Sequence, residues 1–289
     1  MQLPQPEGPG PVPEATAAPP SLALVPNGVA QRFDRREFKF VVDRDTAQGV
    51  LAVVRCRLNP DRHGDARGGY RIATVYYDND DWDCYWDRAR GLKPRQKLRL
   101  RHYGAEVPES GPCFVEIKAR LRRRVVKRRL RASPKEARAL CAGRRWWRAA
   151  DPLDELLAKD VERMVAQRRL APACLLRYRR EAYADEASDL RVTVDTGLTY
   201  RLEAPDHIED GRFDGEVLPE SQAVLEVKVR DVVPQWLAEA LAAGGATMRS
   251  FSKYAEAVEA SGTLGGVAAA PMERRHVRNP AREAKAWIS

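Results

Sequence analysis

Five stretches of this chain alternate apolar and charged residues with a period of two, and in each the charged side consists of Arg and Lys with isolated acids. Arg35, Glu37 and Lys39 oppose Phe38 and Phe40; Lys97, Arg99 and Arg101 oppose Leu98 and Leu100; Glu116, Lys118 and Arg120 oppose Val115 and Ile117. Further on, Arg191, Thr193 and Asp195 oppose Val192 and Val194, while Glu226, Lys228 and Arg230 oppose Leu225, Val227 and Val229. Successive side chains of a β-strand point to opposite faces, so this pattern predicts strands with one apolar and one charged face. A face selected for solubility mixes both signs with Ser, Thr and Gln, and like charges directly across a ladder repel. Several basic strand faces side by side therefore point to a polyanion held among them. The expected architecture is α+β: an antiparallel β-barrel with the charged face inside and helices packed outside.

The overall charge agrees with an acidic partner. Lys and Arg number 50 against 41 Asp and Glu, a formal net charge of +9. That long-range field suits nucleic acid, an anionic membrane, a nucleotide or polyphosphate alike. No apolar run approaches the roughly 18 residues of a membrane span, and the Ser21 to Val25 stretch is too short for a secretory core, so a cytoplasmic protein is expected. The cysteines (Cys56, Cys84, Cys113, Cys141, Cys174) show no CxxC spacing, which predicts free thiols. The histidines (His63, His102, His207, His276) form no HExxH-like motif.

Residues 1–30 are rich in Pro, Gly, Ala and Glu without periodicity, which predicts a disordered tail, and 261–289 reads as a flexible basic tail. One folded domain is expected over 31–260. Its predicted strands are 34–41, 70–78, 95–103, 113–121, 124–131, 175–184, 190–196, 199–204 and 223–230, and its predicted helices 45–56, 80–89, 134–142, 151–168, 234–243 and 251–260. Ser133-Pro134 has the form of an N-cap followed by proline at the first helical position, and Pro234 looks similar. Strands 113–121 and 223–230 share a Val/Leu-Glu-Ile/Val-Lys core, a hint of pseudo-symmetry.

Arg binds phosphate oxygens in a bidentate fork and keeps its charge in a partly dry cavity, so Arg99, Arg101 and Arg191 are candidates to clamp successive phosphates. The acids among them suit a hard divalent cation, since carboxylate and phosphate oxygens together form the shell that Mg²⁺ or Mn²⁺ prefers.

An ordered set of motifs carries a family resemblance. It comprises Arg35-Arg36-Glu37-Phe38-Lys39-Phe40, Thr74-Val75-Tyr76-Tyr77-Asp78, Lys97-Leu98-Arg99-Leu100-Arg101, Val115-Glu116-Ile117-Lys118, Tyr178-Arg179-Arg180, Leu190-Arg191-Val192-Thr193-Val194-Asp195, Leu225-Glu226-Val227-Lys228 and Phe251-Ser252-Lys253-Tyr254. Over about residues 32 to 260 the chain resembles the VTC domain, the polyphosphate polymerase domain of the vacuolar transporter chaperone type, within the triphosphate tunnel metalloenzyme (CYTH-like) superfamily. The resemblance implies a closed eight-stranded tunnel barrel in which metal-bound ATP gives its terminal phosphoryl group to a growing polyphosphate. It implies Lys39, Arg99, Arg101, Lys118, Arg180, Arg191 and Lys253 as catalytic phosphate binders with Tyr178 beside them, and Lys228 joins them as a phosphate-binding candidate because it shares their strand face. Glu226 matches the metal-binding acid, with Glu116 and Glu37 as helpers, and the implied cofactor is Mn²⁺ or Mg²⁺. The sequence departs from the eukaryotic proteins in lacking an SPX domain and membrane segments, which leaves translocation, regulation and any membrane partner open.

Other features have plainer readings. Tyr76, Tyr77, Trp82 and Trp86 read as core rather than as an adenine platform. Trp146-Trp147 beside Arg144 and Arg145 reads as packing or a partner contact. Asp78 to Asp81 lacks the glycine and glutamate of an EF-hand loop and reads as a turn with a helix cap. The run Arg120 to Arg131 either steers polyanions toward the tunnel or is a solvated strand pair. ATP and polyphosphate are the expected partners, without sequence-specific nucleic acid, since aromatic platforms interleaved with basic residues are not evident. Hydrolysis of a triphosphate and binding without turnover stay open as alternatives.

Overall fold

A computed structural model describes residues 31–33, 36–103, 112–121, 124–202 and 212–266. Arg35, Arg122, Arg123, all of the expected tail 1–30 and residues 267–289 of the expected tail 261–289 lie outside the described residues. The strands are β1 (Gln31–Phe33), β2 (Arg36–Asp43), β3 (Asn59–Pro60), β4 (Gly69–Asp78), β5 (Arg95–Tyr103), β6 (Cys113–Leu121), β7 (Arg124–Ala132), β8 (Ala171–Asp185), β9 (Leu190–Arg201), β10 (Gly215–Glu216) and β11 (Gln222–Val229). The helices are α1 (Arg44–Arg55), α2 (Asp83–Ala89), α3 (Pro134–Cys141), α4 (Pro152–Arg168), α5 (Gln235–Ala243) and α6 (Lys253–Ala260), with a 3₁₀ turn at Thr263–Gly266.

The strands form one antiparallel sheet in the order β1-β7-β6-β5-β4-β8-β9-β11-β2, with β10 and β3 added to β9 and β8. The expectation of a closed eight-stranded barrel is corrected here: the ladder is open between β1 and β2. Part of the free edge of β2 is occupied by the chain before α6, where Arg249 N–H donates to the Lys39 carbonyl at 2.8 Å and Phe40 bridges to Met248. That connection uses backbone groups that barrel closure would need. The sheet is nonetheless strongly curled. Lys118 on β6 and Glu37 on β2 are six places apart in strand order, yet Nζ and Oε2 approach to 3.8 Å.

Two apolar layers cover the convex side. Leu98, Leu100, Val115, Ile117 and Leu130 pack with Ala137 and Leu140 of α3 and Leu157 and Val161 of α4. Val192, Val194, Leu225 and Val227 pack with Val50, Leu51 and Val54 of α1 and Leu237 and Leu241 of α5. Each such side chain contributes about 1.5–3 kcal/mol on full burial, which is why the apolar half of every alternating strand faces outward here. A third cluster joins Ile72, Leu176, Tyr178 and Val224, on the same face as the charges, to Tyr254, Ala257 and Val258. Helix α6 therefore lies in one end of the bowl, and the expectation that all helices pack outside is corrected: residues Tyr254 to Val258 carry their own apolar stripe and need a surface to bury it.

Local signals act as anticipated in several places. Ser133 and Glu136 form a capping box with Pro134 in the first turn, whereas Pro234 sits one position earlier, at the cap itself. Stretches 190–196 and 199–204 merge into the single strand β9, because Gly197 takes φ +59° and the β8–β9 register shifts between Arg177 and Arg179. The bulge re-phases the strand, so that Leu198 and Tyr200 continue the face begun by Arg191, Thr193 and Asp195. Asp78 anchors four groups, accepting from the backbone N–H of Asn79, Cys84 and Tyr85 and from the Tyr254 hydroxyl. No helix among the described residues is long and apolar enough to cross a membrane.

Candidate functional site on the concave face

Ladder register decides which charged side chains meet. Across the sheet, Lys127 opposes Lys118, which opposes Lys97; Arg129 opposes Glu116, which opposes Arg99. Arg99 and Arg101 are in register with Tyr76 and Thr74, Arg180 with Tyr70 and Asp195, and Glu226 with Thr193 and Lys39. Lys39, Arg99, Arg101, Lys118, Tyr178, Arg180, Arg191 and Lys228 thus share one face. Lys253 reaches it from the first position of α6.

Three carboxylate-centred groups organise this face. Glu116 is fully buried and accepts from Arg99 Nε at 2.6 Å and Arg129 Nε at 2.7 Å, with Lys127 Nζ at 2.7 Å. Burial alone would raise its pKa, but Arg99, Lys127, Arg101 and Arg129 overcome burial and hold it well below the usual range. Asp195, also fully buried, takes a bidentate fork from Arg180 at 2.6 and 2.7 Å and lies 2.6 Å from Lys253 Nζ. Burial again opposes its charge, yet Arg180 and Lys253 bring its pKa down to about 2. In the third group Glu226 lies 3.1 Å from Lys228 Nζ and within hydrogen-bond reach of Glu37, which is itself 2.8 Å from Lys39 Nζ. Burial disfavours the Glu226 carboxylate, and Lys228 and Lys39 keep it ionised.

Among the remaining cations, Arg101 and Lys97 donate to neutral hydroxyls, whereas Arg191 has a carboxylate partner. Arg101 donates to Thr74 Oγ1 at 3.2 Å and to the Tyr178 hydroxyl at 3.4 Å. Lys97 donates to Ser252 Oγ at 3.4 Å and lies over the Tyr254 ring, and burial lowers its pKa to about 8. Arg191 pairs with Asp61 from the loop after β3 and donates to the Tyr70 hydroxyl at 3.2 Å. Named one by one, the cations outnumber the carboxylates, so a mobile polyanion would enter a field of positive potential.

Several residues of this face were not anticipated as site residues. Lys127 and Arg129 belong to the run Arg120 to Arg131, in which β7 is charged on both sides: Arg128 turns outward to Asp160 of α4 while its neighbours turn inward. An alternation of charge with charge hides the strand's phase. Lys97 was visible as part of the pattern but not as a site residue, and Asp61 and Tyr103 carried no signal at all. Of the aromatics expected to be core, Tyr77 is buried, while Tyr76, Trp82 and Trp86 are half-buried against the third cluster, with Tyr76 stacked on Tyr254 at 5.1 Å between centroids. Trp147 packs beneath α3 and α4 and Arg145 ties to Glu155 and Glu162, while Trp146 is exposed.

The acids expected to hold a metal divide into two sets. Glu37 and Glu226 adjoin each other, whereas Glu116 is enclosed by three cations elsewhere on the face. Among the described residues no group of three or more His, Cys, Asp or Glu could hold a metal by itself. Two carboxylates with phosphate oxygens completing the shell match the way Mg²⁺ and its relatives are held in phosphate sites, so the Glu37–Glu226 pair fits a divalent cation brought with a phosphate ligand.

The profile of the VTC domain family matches residues 34–261. Vacuolar transporter chaperone complex subunit 4 of Schizosaccharomyces pombe is 26% identical, with 73% of this chain and 35% of that protein covered. The chain thus spans about a third of the length of that curated relative. Among solved structures, a candidate adenylate cyclase of Bacillus halodurans aligns with a TM-score of 0.46 at 12% identity, covering 76% of this chain and 96% of that one. The PH1819 protein of Pyrococcus horikoshii aligns at 0.38 and 11% identity over 78% and 99% of the respective chains. Likenesses of that strength bear on neither mechanism nor substrate.

Proposed function

The chain belongs to the VTC domain family, and from that premise we propose that it is a metal-dependent polyphosphate polymerase acting in the cytoplasm. The terminal phosphoryl group of ATP passes to an end oxygen of a polyphosphate chain held on the concave face, and ADP leaves. One observation carries the reading: Lys39, Arg99, Arg101, Lys118, Arg180, Arg191, Lys228 and Lys253 converge on a single curved face, away from both convex apolar layers.

Phosphoryl transfer asks little covalent chemistry of a protein; positioning and neutralisation of charge lower most of the barrier. Along β5 the inward side chains of Lys97, Arg99 and Arg101 repeat about every 7 Å, giving a row of cations suited to an extended phosphate chain. Arg101 is held by neutral hydroxyls and keeps its fork for a phosphate. The Tyr178 hydroxyl beside it is a further polar contact for phosphate oxygens. Arg180, clamped by Asp195, has its guanidinium fixed before substrate arrives. Mn²⁺ or Mg²⁺ at Glu226 and Glu37, when bound, would neutralise charge on the transferring phosphate. Glu116 takes a different part, holding Arg99 and Arg129 in place.

The test is incubation of the purified protein with ATP and Mn²⁺, followed by gel separation and phosphate assay. A ladder of long chains is expected. Free phosphate alone would make the protein a hydrolase, and tight polyphosphate binding without turnover would make it a binding module.

A further inference from the structure

The two ends of the concave face differ in what they offer a ligand. At one end α6 fills the bowl, with Tyr254 buried and stacked on Tyr76. At the other, three aromatic residues stand on adjacent strands: Tyr70 near the start of β4, Tyr103 at the end of β5 and Phe114 near the start of β6. Tyr70 and Tyr103 lie 5.9 Å apart between ring centroids, and Tyr103 and Phe114 meet edge to face at 5.6 Å. The Arg129 guanidinium lies 5.6 Å from the Tyr103 centroid and 4.5 Å from that of Phe114, and it donates to the Tyr103 hydroxyl at 2.7 Å.

Phe114 is the buried member of this cluster. Tyr70 and Tyr103 are only partly buried, unlike Tyr254, and they stand in line with the β5 cations, so that Tyr103 is followed inward by Arg101, Arg99 and Lys97. We propose that Tyr70, Tyr103 and Phe114, with Arg129, form the subsite for the base of a nucleoside triphosphate, whose phosphates then run inward along β5 toward α6. Aromatic rings and a guanidinium plane present π-faces to a base, and such stacking tolerates any base. The subsite sets which end of the nucleotide enters first: the terminal phosphate lies deepest and the base stays at the rim.

This inference rests on the reading of the face as a phosphate site, and its test separates the two. Calorimetric titration of the full chain compares inorganic tripolyphosphate with the ATP analogue that carries an imido bridge between its last two phosphates. Tyr103→Leu should weaken the analogue about tenfold, a typical loss for one base–aromatic stack, and leave tripolyphosphate unchanged, while Tyr103→Phe keeps both. Tyr70→Leu supplies a second loss at the same subsite should Tyr103→Leu melt too low to titrate. Equal weakening of both ligands, or a selective loss of the analogue in Trp86→Leu instead, would overturn the subsite. A wild-type protein that binds tripolyphosphate but not the analogue overturns it as well. Binding of neither ligand would overturn the phosphate site itself and this inference with it.

Discussion

Val115-Glu116-Ile117-Lys118 and Leu225-Glu226-Val227-Lys228 are nearly the same sequence on strands of the same sheet, and their glutamates have different surroundings. Glu116 is enclosed by Arg99, Lys127 and Arg129, all within 2.7 Å of its oxygens. Glu226 stands beside a second acid, Glu37, and its nearest cation is Lys228 at 3.1 Å, with Arg180 at 3.9 Å. The lesson is that a carboxylate in a basic cavity can serve either as a fixed counter-ion or as a candidate cation ligand, and that the neighbouring strands decide which. Their lysines respond in opposite senses. Burial lowers both Lys127 and Lys39; at Lys127 the Glu116 carboxylate opposes burial but Arg129 and Arg99 reinforce it, and its pKa falls to about 8, while Glu226 and Glu37 overturn burial at Lys39, whose pKa is raised.

The sharpest way to break this comparison is to neutralise each acid in turn. Glu116→Gln leaves three cations without their shared carboxylate, and removing one partner from a buried ionic group typically costs about 3–5 kcal/mol. Urea denaturation should show a loss of that size, and a loss under about 1 kcal/mol would mean that Glu116 is not the counter-ion described here. For Glu226→Gln the larger effect should fall on turnover. The variant should lose about 100-fold or more in Mn²⁺-dependent activity, the upper range for disturbing a metal site, while still binding polyphosphate without metal. Turnover at the wild-type rate would remove Glu226 from the cation site.

A smaller effect should come from pH. As the pH rises from 7 to 9, Lys127 loses its proton in the folded protein and Lys39 does not, so the Glu116 side of the face becomes less positive. Polyphosphate affinity should fall a few-fold over that window, and Lys127→Arg should flatten the fall because arginine stays charged. Stability moves the other way. The folded pKa of Lys127 lies below its unfolded value near 10.4, so the unfolded chain holds more protons between about 8 and that value, and this lysine's contribution to stability rises with pH there. An affinity profile equally steep in Lys127→Arg would remove Lys127 from the phosphate path.

Much of this was legible from residue order. The inward assignments of Lys39, Arg99, Arg101, Lys118, Arg191, Glu226 and Lys228 agree with the observed register, because a side-chain period of two follows from backbone geometry and needs no tertiary information. The boundaries of β5 and β6 fall where the alternation ends, and the α3 cap where Ser133 meets Pro134. The inward phase of β7 was not legible, since Arg128 and its neighbours are all basic and periodicity carries no sign of direction. The three charges around Glu116 come from β5 and β7, more than ten residues away on either side.

The sequence by itself therefore determined two faces for each strand, and with them a basic surface and an apolar one, through local backbone geometry and the hydrophobic effect. Tertiary structure alone decided that the sheet curls until Glu37 meets Lys118 without closing its ladder, that α6 enters the bowl, and that Glu226 adjoins Glu37 while Glu116 is walled in by cations. The physical reason is that the energy of a buried charge depends on partners brought by ladder register and sheet curvature from distant parts of the chain, and no local pattern records which partners those will be.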